Sequence, residues 1–316
     1  MKCVTIHIIC SRKALLMTNY IDLHIHSKFS SDGDFTVSQL MEQCQDAGIR
    51  IMSITDHVSV KANHEAKKIA KDYNIHYISG IEIDCRYKGI NLHLLGYGID
   101  ENSPDFEKLE NNIWEQERNA SIKRLEMFKE LGLETTKEEL NEIANLEEGG
   151  IWTGEVFAEV FLARPEYSTH ELLLPYRKDG SRSDNPFVNF YWDFCGQGGA
   201  CYIHLDFPSL EEAIQMIHKN GGKAILAHPG NNLKGRLELI REMIPLELDG
   251  VEVFCSYHDA ITTDTLYDFG LKYGLIMTAG SDYHGKTKPA VRLGGYYCPV
   301  HGEDLETAFS LKGLLE

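Results

Sequence analysis

The chain has 316 residues, 43% apolar and 25% charged, the proportions of a soluble globular protein; disordered, collagenous and coiled-coil chains are excluded. Its length suits about two domains, or one barrel with an insert. With 31 basic and 48 acidic residues the net charge is −17, which argues against salt-driven binding of duplex DNA but leaves room for an anionic substrate if metal ions reverse the local sign.

In residues 1–16 the longest apolar stretch, Val4–Cys10, is broken by Thr5 and His7. No cleavage site follows, and no run reaches the length of a membrane span. Residues 1–17 are therefore expected to be an unstructured leader or a mis-assigned start, with Met17 as the natural first residue; an edge strand over Val4–Ile9 is the alternative. The eight cysteines form no C-x-x-C pair and read as reduced, mostly buried thiols of a cytoplasmic protein.

Tyr20–Ile25 is a short apolar run, followed by polar HSKFSSDGDF and a helix pattern from Val37 to Ala47 closed by Gly48. Ile51–Thr55 is a second strand, Lys61–Tyr73 a helix and His76–Ile83 a third strand. Tyr87–Asn91 reads as a hairpin turn with Leu92–Tyr97 returning. The rhythm then changes. Asp105–Leu131 is one long helical pattern, Lys137–Ala144 and Glu155–Ala163 are shorter ones, and 176–207 reads as loop. Alternation resumes with Leu210–Lys219 (helix), Lys223–Ala227 (strand), Lys234–Met243 (helix), Gly250–Phe254 (strand), Ala260–Tyr273 (helix) and Leu275–Ala279 (strand). Strand–helix alternation predicts an α/β fold with a parallel sheet: barrel segments over 18–100 and 208–316, and a helical and loop insertion, or cap, over 101–207.

Fourteen histidines are unusual, and their places are more so. His24 and His26 in D-L-H-I-H share one face of a strand. The second strand ends T-D-H (Asp56, His57) and the third G-I-E (Glu82). The hairpin return carries His93. Later strands end A-H-P (His228) and G-S-D-Y-H (Asp282, His284), and Asp32 lies in the first loop. A His, Asp or Glu thus stands at the C-terminal end of nearly every predicted strand, where α/β barrels place their chemistry. Imidazole and carboxylate without clustered thiolate suit Zn, Mn or Fe, and nine such side chains exceed one tetrahedral site. A multinuclear cluster suits hydrolysis of phosphate esters.

At these residues the chain resembles the PHP family, the polymerase and histidinol phosphatase phosphoesterases. The motifs are D-L-H-I-H-S-x-x-S-x-D-G (22–33), T-D-H (55–57), G-I-E (80–82), H-L-L-G-Y (93–97), A-H-P (227–229) and G-S-D-Y-H-G (280–285). The resemblance implies a distorted (β/α)7 barrel with two or three divalent ions. It assigns His24, His26, Glu82 and Asp282 to one metal, Glu82 with His93 and His228 to a second, and Asp32, His57 and His284 to a third. Some relatives have His at the position of Asp32. The insertion and G-V-E-V-F-x-S-Y-H (250–258) are similar to the stand-alone TrpH-like group, which includes 3′,5′-nucleoside bisphosphate phosphatases and 5′→3′ exonucleases on short RNA. Relatives often carry a G-R-P-H-like segment where this chain has W-T-G-E-V-F (152–157).

Among other residues, His258 at a strand end is a candidate to touch substrate phosphate or the leaving group. Asp56 is a candidate catalytic residue orienting a ligand imidazole, or alternatively a helix cap. Arg118 and Arg124 are candidate substrate-binding residues, six apart and so not on one helix face. His64 and His204 read as surface or loop residues, and Glu107, Glu110, Glu115 and Glu117 as a solvated helix face. The expected function is hydrolysis of a phosphomonoester of a small anionic substrate, a nucleotide or nucleoside bisphosphate, by metal-bridged hydroxide. The alternatives are a 5′→3′ exonuclease on short single strands and, in a different class, a non-catalytic metal-binding regulatory module. Neither duplex DNA nor membrane is an expected partner.

Overall fold

The computed structural model describes residues 19–144 and 150–299; the expected leader and the end of the expected barrel segment, 300–316, lie outside the described residues. β1 (Ile21–Ile25) is buried throughout. α1 (Val37–Ala47) opens on a Thr36–Gln39 capping box and ends on left-handed Gly48, the stop expected there. β2 (Ile51–Ile54) lies parallel to β1, and α2 (Lys61–Ile69) runs into one 3-10 turn that ends at Tyr73.

The run His76–Ile83 is not one strand. β3 (His76–Tyr77) completes a parallel sheet in the order β1–β2–β3, while β4 (Gly80–Tyr87) belongs to a second sheet. Buried Asn63 of α2 makes the switch possible: its side chain donates to the Gly80 carbonyl and accepts from the Gly80 N–H, so no backbone group is stranded between sheets. β4 turns through Lys88-Gly89, both at positive φ (47° and 79°), into antiparallel β5 (Ile90–Tyr97), the hairpin expected.

α3 (Pro104–Glu130) is capped by Ser103 and begins on a proline. Its 27 residues span about 40 Å. Phe106, Leu109 and Ile113 near its start pack into the core against the second sheet, whereas Phe128 near its end sits in a separate aromatic core. That second core also takes side chains from α4 (Lys137–Ala144), α5 (Gly154–Ala163) and α6 (Pro186–Phe190), with Phe157, Phe161 and Phe190 packed around Phe128. The expected loop 176–207 therefore contains α6 and a π-helical turn at Tyr191–Cys195. Elements of five residues are too short to show an apolar period in sequence.

α7 (Leu210–Lys219), β6 (Lys223–Leu226), α8 (Pro229–Leu233), α9 (Ile240–Met243), β7 (Gly250–Cys255), α10 (Ala260–Tyr273) and β8 (Ile276–Gly280) complete the order. The helix expected over Lys234–Met243 is broken at its start, because Lys234 and Gly235 take positive φ (48° and 85°). The second sheet runs β4–β5–β6–β7–β8, parallel from β6 to β8 but antiparallel on both sides of β5. The fold is thus mixed α/β rather than all-parallel. Two bridges, Ile25 to Tyr283 and His57 to Glu82, join the sheets at the ends of their strands. Among the described residues the two sheets do not form a single closed ladder.

Candidate active site

The two bridges mark where the titratable side chains meet. β8 reaches β1 closely because Gly280 has no Cβ: one built there would lie 2.2 Å from the Cβ of His24. The Asp282 N–H then donates to the His24 carbonyl (2.8 Å) and the His26 N–H to the Tyr283 carbonyl (2.9 Å). His24 and His26 thereby face Asp282 across the seam. On the other side His57, after β2, meets Glu82 of β4.

Glu82 is fully buried at the centre. Its Oε2 lies 3.2 Å from Nε2 of both His24 and His26, and its Oε1 lies 3.0 Å from His93 Nδ1 and 3.1 Å from His228 Nε2. Asp282 Oδ1 completes the first group, 3.3 and 3.2 Å from the same two imidazole nitrogens. Asp32 Oδ2 lies 3.1 Å from His284 Nε2 and 3.9 Å from His57 Nε2. All nine side chains singled out in the sequence are brought together. Asp84 joins them, its carboxylate 3.5 Å from His57 Nδ1 and 3.2 Å from His93 Nε2. It was not singled out, yet it stands two residues after Glu82 on one strand, so the period of two points both carboxylates the same way.

This donor set fits divalent cations. His24 Nε2, His26 Nε2, His57 Nδ1, Glu82 Oε2 and His284 Nε2 are buried without a hydrogen bond, a costly state for atoms that a cation would satisfy. The opposite ring nitrogens are occupied. His24 Nδ1 meets Glu252 (3.0 Å), His284 Nδ1 the Asp282 carbonyl (2.9 Å), His26 Nδ1 Ser30 (3.3 Å) and His228 Nδ1 Asn232. Such outer contacts fix which nitrogen points its lone pair inward. Burial opposes charge on His24, but Glu82, Glu252 and Asp282 outweigh it and hold its pKa well above the ordinary histidine value; His57 and His93 are raised in the same way by Glu82 and Asp84. Burial holds His284 neutral, with its pKa down at about 4. Backbone strain gathers here too: Val58 (φ 50°), His228 (φ 22°) and Asp282 (φ 60°) take positive φ, each costing on the order of 1–3 kcal/mol.

A cavity of about 110 Å³ opens over His57, Asp32, Asp84 and His93, walled by Tyr191, Trp192 and Trp114. Arg124 and Lys288 bring positive charge to it. Arg124 is buried and pairs with Glu117 (2.8 Å), which outweighs burial and raises its pKa. Lys288 is buried and donates to Asp282 Oδ2 (2.6 Å), where the Tyr257 hydroxyl also donates (2.6 Å). An adjoining cavity of about 540 Å³ is lined by Lys28, Arg118 and Lys286. Glu155 lines both cavities; burial, with Asp32 adding to it, pushes its carboxyl up to about 7.

Two candidates are corrected. His258 is buried, but its Nδ1 donates to the Val253 carbonyl (2.8 Å) and its Nε2 accepts from the Gly230 N–H (3.1 Å). Neither nitrogen is left for phosphate or leaving group; the ring props the turn that carries His228. Asp56 neither orients an imidazole nor caps α2. Both its oxygens accept from Ser27, N–H at 2.6 Å and hydroxyl at 2.7 Å, and burial raises its pKa to about 7. The two arginines separate as their spacing requires: Arg124 enters the inner cavity, while exposed Arg118 lines the outer one. The acidic face of α3 is not all solvated, since Glu110 is buried against Lys61 (2.9 Å) and Glu117 holds Arg124. His64 and His204 are exposed, and six of the cysteines are buried free thiols.

The profile of the PHP domain matches residues 22–178, which carry the motifs of β1, β2, β4 and β5. The chain carries a PHP domain over these residues. It is 27% identical to the 3′,5′-nucleoside bisphosphate phosphatase of Chromobacterium violaceum over 90% of this chain and 92% of that one. It is 26% identical to the phosphoribosyl 1,2-cyclic phosphate 1,2-diphosphodiesterase of Eggerthella lenta (84% and 94% covered) and to the 5′-3′ exoribonuclease Rnm of Escherichia coli (88% and 90%). A solved Bifidobacterium adolescentis protein, described as a candidate metal-dependent phosphoesterase, shares the fold with a TM-score of 0.70 at 24% identity, over 93% of this chain and 96% of that one. The PHP protein described here is a metal-dependent phosphoesterase. Among the described residues no helix is long and apolar enough to cross a membrane.

Proposed function

We propose that this PHP protein hydrolyses a phosphomonoester whose leaving group is itself anionic, a nucleoside bisphosphate being the type of substrate. The observation that carries the reading is the pair of adjoining cavities: a small one over the imidazoles and carboxylates, and a larger one bearing Arg118 and Lys28, which make no ion pair among the described residues. His24, His26, Glu82 and Asp282 would hold one ion, Glu82, His93 and His228 a second, and Asp32, His57 and His284 a third, with Mn, Zn or Fe suited to the donors. Bound ions supply the Lewis acidity that activates water and offsets negative charge developing on phosphorus.

The chain's own residues do the rest. Arg124 in the inner cavity and Arg118 in the outer place guanidinium groups at two depths, so two phosphates of one substrate can be held at once. Trp114, Ile151 and Thr153 line both cavities and form the passage between them. Trp192 and Tyr191 cover the inner cavity and exclude bulk water, which strengthens each charge contact inside. In this reading residues 101–207 are the cap that selects substrate, and 18–100 with 208–316 are the two parts of a distorted (β/α)7 barrel. The protein works in the cytoplasm.

A second reading is a 5′→3′ exonuclease on short single strands. The aromatic residues Phe29, Trp114 and Phe187 of the outer cavity favour it, since bases stack on such rings. The complete donor set argues against a non-catalytic module. The deciding experiment is turnover by metal-loaded protein of an aryl phosphate, a 3′,5′-nucleoside bisphosphate and a 5′-phosphorylated trinucleotide. Preference for the bisphosphate by tenfold or more in kcat/KM supports the first reading, and preference for the trinucleotide the second. No turnover of any would sink both.

A further inference from the structure

We infer that Lys288 contacts substrate, its ammonium binding a non-bridging oxygen of the phosphoryl group held in the inner cavity. This rests on the phosphoesterase reading above. A lysine only 6% exposed needs a reason to be there, because burying an ammonium is costly. Its ion pair with Asp282 accounts for one of its three N–H groups. Among the described residues its Nζ makes no other hydrogen bond, and its side chain lines the cavity beside Asp32, His57 and Asp84.

Support of Asp282 does not by itself explain the residue. The Tyr257 hydroxyl already donates to the same Oδ2, leaving Oδ1 toward His24 and His26. A neutral second donor would complete Oδ2 without burying a charge. The ammonium is also held in place from both sides. The Thr287 hydroxyl donates to the Asp32 carbonyl (2.8 Å), and the Ala290 N–H donates to Asn185 Oδ1 (2.9 Å) in the segment that carries Trp192. A cation fixed between the carboxylate cluster and the cavity wall suits a ligand that brings several negative oxygens.

The test is calorimetric titration of inorganic phosphate into metal-loaded wild type, K288Q, K288R and Y257F, with metal content measured for each. K288Q is expected to keep its metal and weaken phosphate binding 10- to 100-fold. K288R should recover part of the loss, and Y257F at full metal content should stay within about threefold of wild type. Wild-type affinity in metal-replete K288Q would overturn the proposal. So would equal loss of metal in K288Q and Y257F, which would make Lys288 a support for Asp282 alone. If K288Q does not fold, K288M decides: wild-type phosphate affinity at full metal content would overturn the contact. Wild type that neither binds phosphate nor hydrolyses any phosphomonoester would instead sink the underlying reading.

Discussion

Glu82 is the side chain on which the others converge. Three imidazoles lie on its Oε2 and two on its Oε1, so it can bridge two ions, and it is fully buried. Glu82→Gln replaces one ligating oxygen by an amide and removes the charge. Hydrolysis should fall by orders of magnitude and bound metal by at least one ion per chain; near-normal values of both would contradict the bridging role. Arg118→Ala tests the outer cavity. Loss of a charge-assisted contact worth ~1.5–3 kcal/mol should raise KM for a bisphosphate about 10- to 100-fold and leave an aryl phosphate almost unaffected. His258 teaches the opposite lesson. Its place at a strand end suggests substrate contact, but both ring nitrogens serve the backbone. His258→Phe should therefore cost ~1–3 kcal/mol of stability in denaturant unfolding, with kcat per folded molecule changed little.

At the scale of elements, α3 links the two cores. Its start is anchored against the second sheet and its end in the aromatic core, so the arginines between them are placed by packing at both ends. Phe128 is fully buried among Phe157, Phe161 and Phe190. Phe128→Ala should cost ~3–5 kcal/mol of that core, seen as a lower thermal midpoint, while the metal content of the folded fraction holds. The edge where β6 begins offers a pH test. Asp249 accepts from His218 (2.6 Å), from the Ala224 N–H (2.9 Å) and from Lys223 (3.1 Å). Burial raises its pKa, but these contacts outweigh it and the net shift is downward. A depressed carboxylate stabilises above its unfolded pKa and loses that contribution as pH falls through the folded value. Asp249→Asn should thus be destabilising at pH 7 by about 1 kcal/mol, with the gap to wild type closing below pH 4; a gap constant with pH would show that the charge is irrelevant.

For the whole molecule, the cluster joins both sheets. His24 and His26 come from the first, Glu82 and His93 from the second, and Asp282 and His284 follow β8. Ions held there would cross-link the two sheets as well as supply chemistry, because a site assembled from distant segments exists only in the folded chain. Chelation should lower the thermal midpoint by 5 °C or more and abolish hydrolysis together, and restoring metal should recover both. Loss of activity with no change in midpoint would mean that the sheets hold their positions without the ions.

Much of the site was legible in the sequence because its residue types are expensive elsewhere. Imidazoles and carboxylates repeated at the ends of apolar runs have few uses in a core, and the period of a strand tells which of them share a face. The hairpin at Lys88-Gly89 and the helix stop at Gly48 were legible for the same local reason: they depend on the backbone preferences of a few adjacent residues. What tertiary structure alone decided lies between segments far apart in the chain. Whether His76–Ile83 stays in one sheet depends on Asn63, whose side chain can satisfy Gly80 only once α2 has packed. Whether His258 is available depends on Val253 and Gly230, and whether Arg124 or Arg118 reaches the inner cavity depends on where α3 is anchored. Lys288 has no motif to mark it; it matters because folding buries its ammonium against Asp282, and no spacing in the sequence encodes that contact.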